Sequence, residues 1–308
     1  MNRIAIALAC LSAGIVLSAC GGCSNEDHSG RLRIVCTTGM IGDVAKRVAG
    51  DRAEVESLMG PGVDPHLYKA SEGDVGKLSA ADVVLYNGLN LEGKMGDIFV
   101  KLAATRKVVA VSETIGEEHL REPPEFLGHY DPHVWFDCSL WAKTIQSVEK
   151  ALAEKDPSHA AEYHERAEAL RKEYLELDAW IVTRIAEIPE GQRVMVTAHD
   201  AFGYFGRRYG LEVIGLQGIS TVSEAGIKDV ERVVGIIVDR KIRSIFVESS
   251  VPKRSIEAVQ AACRDRGHEV AIADKTLFSD AMGAAGSDEG TYPGMVRHNV
   301  NTVVESLE

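Results

Sequence analysis

The chain is short of positive charge: its 308 residues hold 34 Lys and Arg against 46 Asp and Glu, a formal net charge of −12. Proteins that bind nucleic acid present a basic face to the phosphates, so this balance argues against such a partner. An acidic surface suits a cationic ligand, and it equally serves plain solubility. Beyond the first twenty residues no segment is long and apolar enough to span a bilayer. Metal-type cysteine spacing is also missing. Once Cys10 and Cys20 are set aside with the N-terminal leader, Cys23, Cys36, Cys138 and Cys263 stand far apart, and free buried thiols are the expected state. No His-Glu-x-x-His motif occurs, which removes one common signature of a zinc hydrolase.

The leader itself is informative. "MNRIAIALACLSAGIVLSAC" has a positive start at Arg3, a short apolar run, and small residues before Cys20. This is the pattern of a bacterial lipoprotein signal, cleaved after residue 19 with a lipid placed on the Cys20 sulfur; an ordinary secretory signal is the alternative. Residues 20–30 are small and polar, as a flexible tether should be. The expected body is therefore a soluble one, held by its lipid at the periplasmic or extracellular face of a membrane.

After the tether, strand and helix patterns alternate. Strands are expected at 31–38, 52–59, 82–88 and 107–114, and helices at 39–50, from Ser71, and near 93–105. The second half repeats the grammar, with strands at 194–199, 211–218, 244–249 and 268–274. Helices are expected there near 200–209, 223–240, 252–267 and 291–306, the second opened by a Thr221–Glu224 capping box. Such alternation gives an α/β fold: two Rossmann-like (βα)4 lobes with parallel sheets, at 31–157 and 190–308. Between them, 158–189 has no internal glycine or proline and reads as one long, rigid linking helix. Its apolar stripe runs through Ala167, Leu170, Tyr174, Leu177, Trp180 and Ile181.

Most of the ten histidines sit in charged or uninformative surroundings. Two do not. The tripeptide Asp-Pro-His occurs at 64–66 and again at 131–133, and proline stiffens the stalk that presents His66 and His133. A third, His199, ends a strand, and Asp280 follows the last strand. Ligands in open α/β sheets bind beyond the C-terminal strand ends, where all four could converge. Three imidazoles and a carboxylate fill the shell of a divalent metal such as zinc. Taken singly, each of the four better fits a capping or surface role; it is the four together that point to a metal. Asp64, Asp131, Asp200 and Glu248 are candidates to hold the imidazoles from behind, Glu248 foremost. A rigid rod between the lobes resists wide hinge bending, so metal release is expected to involve local rearrangement around 199–205 and 275–285.

"GVDPHLYKAS", "DPHVWFD", "VTAHDAFGYFGRRYGL", "LQGISTVSEAG", "IFVESSVPKRSIEAV" and "LFSDAMG…GTYPGMVRHN", in this order, resemble the metal-binding lipoproteins of bacterial ABC importers. That is the solute-binding family called cluster A-I or cluster 9, and the likeness is strongest to its Tro-type zinc/manganese branch. The resemblance covers essentially the whole mature chain. It implies two lobes joined by a single helix, with one Zn²⁺ or Mn²⁺ held in the cleft by His66, His133, His199 and Asp280. It also implies a partner permease with its ATPase subunit, and a monomeric chain without catalytic residues. The histidine-rich loop of many zinc-dedicated relatives is missing; only His119 and His129 accompany His133. Manganese-dedicated relatives tend to carry glutamate where this chain has His199, so the metal stays open between the two. The rival readings are a metal-dependent hydrolase and a lipoprotein adhesin.

Overall fold

The computed structural model describes residues 30–308; the expected signal, Cys20 with its expected lipid, the tether and Cys23 lie outside the described residues, save for Gly30. The first lobe begins with β1 (Leu32–Cys36), α1 (Gly39–Ala49), β2 (Ala53–Ser57), α2 (Glu72–Ala80), β3 (Val83–Tyr86), α3 (Gly96–Ala103) and β4 (Lys107–Ala110). Its four strands are parallel in the order β2-β1-β3-β4. Local chemistry sets the boundaries. Ser71 and Asp74 form a reciprocal cap at the start of α2, with Asp74 N donating to Ser71 Oγ and Ser71 N to Asp74 Oδ2. Gly50 ends α1 with φ +57°, a conformation that costs a side-chain-bearing residue.

The fourth helix of this lobe, α4 (Cys138–Lys155), has no counterpart among the elements read from the sequence. Its signals are nonetheless there. Asp137 caps it, accepting from Ser139 N and Leu140 N, and Leu140, Trp141, Ile145, Val148 and Leu152 recur at helical spacing along its buried face.

The linking helix α5 (Ala160–Ile185) is shorter than its expected 158–189 span, because Pro157–His159 forms a separate tight turn before it. Its 26 residues reach about 39 Å. All of the expected stripe is buried except Trp180, which is half-buried under the Arg297 guanidinium.

The second lobe runs β5 (Val194–His199), α6 (Gly203–Tyr209), β6 (Glu212–Gln217), α7 (Ile227–Arg240), β7 (Ser244–Ile245), α8 (Arg254–Asp265), β8 (Ala271–Ile272) and α9 (Tyr292–Leu307). β5 pairs with β6 and β7 with β8, all parallel, and Phe246 N donates to Val196 O at 2.9 Å to join the pairs. The winding therefore repeats that of the first lobe. β7 and β8 are shorter than the expected 244–249 and 268–274, because the chain leaves regular pairing after two residues. One further bridge, Glu248 to Leu277, continues the pairing. The expected Thr221–Glu224 cap is a misreading. Helix α7 starts six residues after Thr221, where Asp229 Oδ2 accepts from Gly226 N at 2.9 Å, and Thr221 is engaged elsewhere.

The apolar cores fix how the lobes relate. One cluster contains Ile34, Val44 and Leu85 of the first lobe, Leu170, Tyr174 and Ile181 of α5, and Phe202, Phe205, Met295 and Val300 of the second. A shared core of this kind is expelled from water on both sides at once, so parting the lobes exposes apolar surface. Two separate clusters line the outer flanks, one per lobe.

Candidate metal centre

Every candidate donor sits at or beyond the C-terminal end of a strand. His66 lies in the loop after β2, His133 in the long loop after β4, His199 at the last position of β5, and Asp280 in the loop after β8. These loops meet in the cleft, and one potential donor atom from each of the four residues lies within 4.8 Å of all the others. His66 Nε2 is 3.3 Å from His133 Nε2, His133 Nε2 is 3.4 Å from Asp280 Oδ1, and His199 Nε2 is 3.2 Å from Asp280 Oδ2. Donors bound at 2.0–2.1 Å in a tetrahedron stand roughly 3.3–3.4 Å apart; the His66–His133 spacing matches this, and the two histidine–Asp280 contacts, made to different carboxylate oxygens, lie close to it. His119 and His129 are exposed and outside this group.

Both Asp-Pro-His tripeptides use the same local device. Proline offers no N–H, and the aspartate oxygen turns forward to the next one: Asp64 Oδ1 accepts from His66 N at 2.8 Å, and Asp131 Oδ1 from His133 N at 2.9 Å. Asp131 Oδ1 also lies 2.7 Å from His133 Nδ1, which fixes the ring with Nε2 turned to the cluster. Glu248 stands behind His199, taking its backbone N–H at 2.9 Å; its other oxygen lies 2.6 Å from Nδ1 as an ion-pair contact, without the aligned hydrogen bond that Asp131 makes to His133. Asp64 reaches only the backbone of His66, and its other oxygen accepts from Thr221 Oγ1 at 2.5 Å. Asp200 faces Arg121 at 3.9 Å.

Asp280 is held from several directions. Trp135 Nε1 donates to Ser279 O at 3.0 Å, Ser250 Oγ donates to Asp280 Oδ2 at 3.3 Å, and Asn299 clamps both backbone groups of Phe278. Sequence reasoning missed Trp135, Ser250, Asn299, Thr221 and Arg121. Only Trp135 carried a visible signal, two residues after a singled-out histidine.

Burial pushes His66 down to about 3, despite the opposing pull of Asp280. For His133 burial acts downward too, but the bond to Asp131 and the nearby Asp280 carboxylate outweigh it and raise the imidazole to about 9. His199 is likewise raised well above its ordinary value, burial being outweighed by Glu248 and Asp280. Asp280, facing both imidazoles, is held well below the usual carboxylate range although burial opposes it. The metal-free cluster thus keeps two imidazolium protons, and one divalent cation replaces them with no change of charge. Asp280 Oδ1 and His199 Nε2 are buried without an aligned hydrogen bond, a costly state that a coordinated cation relieves. The donor set fits such an ion.

A family model described as ZnuA, zinc-uptake complex component A, periplasmic, matches residues 34–306. The manganese-binding lipoprotein MntA of Bacillus subtilis (strain 168) is 45% identical over 307 residues, 99% of this chain and 100% of that protein. The zinc-binding protein TroA of Treponema pallidum (strain Nichols) is 47% identical over 286 residues, 93% of this chain and 92% of that one. Among solved structures, the periplasmic zinc-binding protein TroA from Treponema pallidum superposes with a TM-score of 0.88 at 48% identity, covering 90% of this chain and 99% of that chain. With its two lobes, its linking helix and almost all of its described length matched, the chain belongs to the ZnuA family of periplasmic metal-uptake components.

Proposed function

We propose that this protein captures one divalent transition-metal ion, Zn²⁺ or Mn²⁺, in the cleft between its lobes, through His66, His133, His199 and Asp280. The observation that carries the reading is the convergence of four buried side chains, one donor atom from each lying within 4.8 Å of all the others. The metal is cargo, delivered to a membrane permease driven by an ATPase subunit. The lobes are 31–157 and 190–308, with 158–189 between them. Cys20 carries the lipid that keeps the monomeric chain at the outer face of a membrane. Names of relatives support this reading, since MntA is called manganese-binding and TroA zinc-binding. No helix among the described residues is long and apolar enough to cross a membrane.

A hydrolytic metal keeps a position open for water. Here a fourth protein donor, Asp280, occupies it, and the chain acts as a carrier rather than an enzyme. Three imidazoles favour zinc over manganese on intrinsic affinity. Titration of metal-free protein with each ion, together with elemental analysis of protein taken from its native compartment, tests the proposal. Saturation near one equivalent supports it, and two equal tight sites or none overturn it.

A further inference from the structure

Arg121 lies in the long loop between β4 and α4, behind the imidazoles. Its Nη1 donates to Oδ2 of Asp131, the carboxylate whose other oxygen holds the backbone and ring of His133. Asp131 is fully buried, and its own N–H returns to Arg121 O at 2.8 Å. The guanidinium also faces the second lobe. Nη2 is 3.9 Å from Asp200 Oδ2, next to His199, and the guanidinium carbon is 5.7 Å from the centre of the Tyr204 ring. The Tyr204 hydroxyl closes the circuit, accepting from Arg121 N at 3.0 Å and donating to Asp131 O at 2.9 Å.

Gly203, the first residue of α6, explains how a guanidinium fits there. A Cβ on Gly203 would stand 1.4 Å from Arg121 Nη1 and 2.1 Å from Cζ. Its φ is outside the left-handed region, so alanine would suit the backbone and is the better helix former. A side chain at 203 and the guanidinium in its present seat exclude one another.

We propose that Arg121 is a positioning residue for metal retention: seated against Gly203 of the second lobe, it fixes Asp131 and, through it, the metal-facing nitrogen of His133. The orientation of a first-lobe donor then depends on where the second lobe stands, which ties the lifetime of the bound ion to the fit between the lobes. A buried carboxylate without its cation reorganises, and partners that orient a liganding histidine are worth roughly 10–100-fold in metal affinity.

This inference rests on the metal-capture reading above, and the test separates the two. Full-length wild type, Arg121→Gln, Arg121→Lys, Gly203→Ala and the Arg121→Gln/Gly203→Ala double variant are loaded with Zn²⁺. Release into excess chelator is then timed, and melting of each metal-free protein is recorded. Arg121→Gln and Gly203→Ala should each speed release about tenfold or more, with Arg121→Lys recovering part of the loss. Gly203→Ala should lower the metal-free melting temperature no more than Arg121→Gln does, since both lose the Arg121–Asp131 pair while alanine is the better helix former. Combined with Arg121→Gln it should add nothing, because no guanidinium remains to displace. Wild-type release rates in Arg121→Gln overturn the inference, as does an undiminished Gly203→Ala effect in the double variant. Should Arg121→Gln not fold, Gly203→Ala and Arg121→Lys decide alone: unchanged release in both refutes it. Wild type that retains no zinc sinks the capture reading, and this one with it.

Discussion

At 64–66 and at 131–133 the same tripeptide folds into the same turn, an aspartate oxygen gripping the N–H of the histidine two residues on at 2.8 and 2.9 Å. Beyond that turn the copies part company. Asp131 continues to the His133 ring, is itself held by Arg121, and leaves the imidazole 0% exposed. Asp64 never reaches the His66 ring; it spends its second oxygen on Thr221 in the opposite lobe, and His66 keeps 5% exposure. The consequence is chemical. One imidazole is raised to about 9 and must lose a proton to bind metal, whereas the other is pushed to about 3 and waits with its lone pair free. A short motif fixes the backbone, and the surroundings decide what the side chain does with it.

The largest effects should come from deleting donors. His66→Ala, His133→Ala, His199→Ala and Asp280→Ala should each weaken Zn²⁺ binding by orders of magnitude, read by competition against a chelating dye. His164→Ala should leave it unchanged, since that ring is exposed and pairs only with Glu149. Wild-type affinity in Asp280→Ala would refute the four-donor shell. The paired substitution Asp131→Asn against Asp64→Asn sharpens the comparison. Removing the acceptor behind His133 should cost about 10–100-fold in affinity, and removing Asp64 should cost clearly less. Equal losses would mean that both turns act only on the backbone.

Proton competition gives the next effect. Because His133 in the metal-free protein is raised to about 9 and His199 is raised too, metal must displace two protons at neutral pH. Affinity should therefore rise with pH through the neutral range, by up to about two decades per pH unit. The metal-free fold runs the other way. The raised His133 contributes stability that is complete below its unfolded value near 6.5 and is lost as pH rises through about 9. His66 works from the acid side: below its unfolded value near 6.5 the unfolded chain takes up a proton that the fold refuses, so stability falls as pH drops from there towards about 3. Calorimetry in buffers of different ionisation enthalpy counts the protons; none released at pH 7 would contradict this assignment.

Much of this was legible in the sequence because it is written locally. Alternating strand and helix patterns gave both lobes, and the two Asp-Pro-His turns with His199 and Asp280 gave the cluster. What escaped mostly depends on partners distant in sequence. Helix α4 is the exception, since Asp137 and its apolar spacing announce it directly after the second Asp-Pro-His turn. The Thr221–Glu224 cap looked sound as a pattern, yet the Thr221 hydroxyl finds Asp64 157 residues away. Likewise Gly203 makes sense only once the Arg121 guanidinium is seen lying against it. The expectation that 275–285 rearranges on metal release also weakens, because Trp135, Ser250 and Asn299 pin the part carrying Asp280.

That pinning moves attention to the freer turn, and to the smallest of the predicted effects. The His66 ring has no carboxylate behind it, and its loop is tied to the second lobe in part by the Thr221–Asp64 bond. Thr221→Ala removes the hydroxyl while leaving every donor and the Asp64 bond to the His66 backbone in place. Affinity should fall only severalfold, because a half-open polar site lets water take over the vacated oxygen. The change should appear as faster release rather than slower capture, since the tie exists only when the loop is already seated. Thr221→Ser keeps the hydroxyl and should behave as wild type. Stopped-flow release into chelator, alongside association rates with Zn²⁺, separates these cases. Equal release from Thr221→Ala and wild type would show that the His66 turn is held by its own proline and backbone bond alone, and the two turns would then differ in proton chemistry but not in mobility.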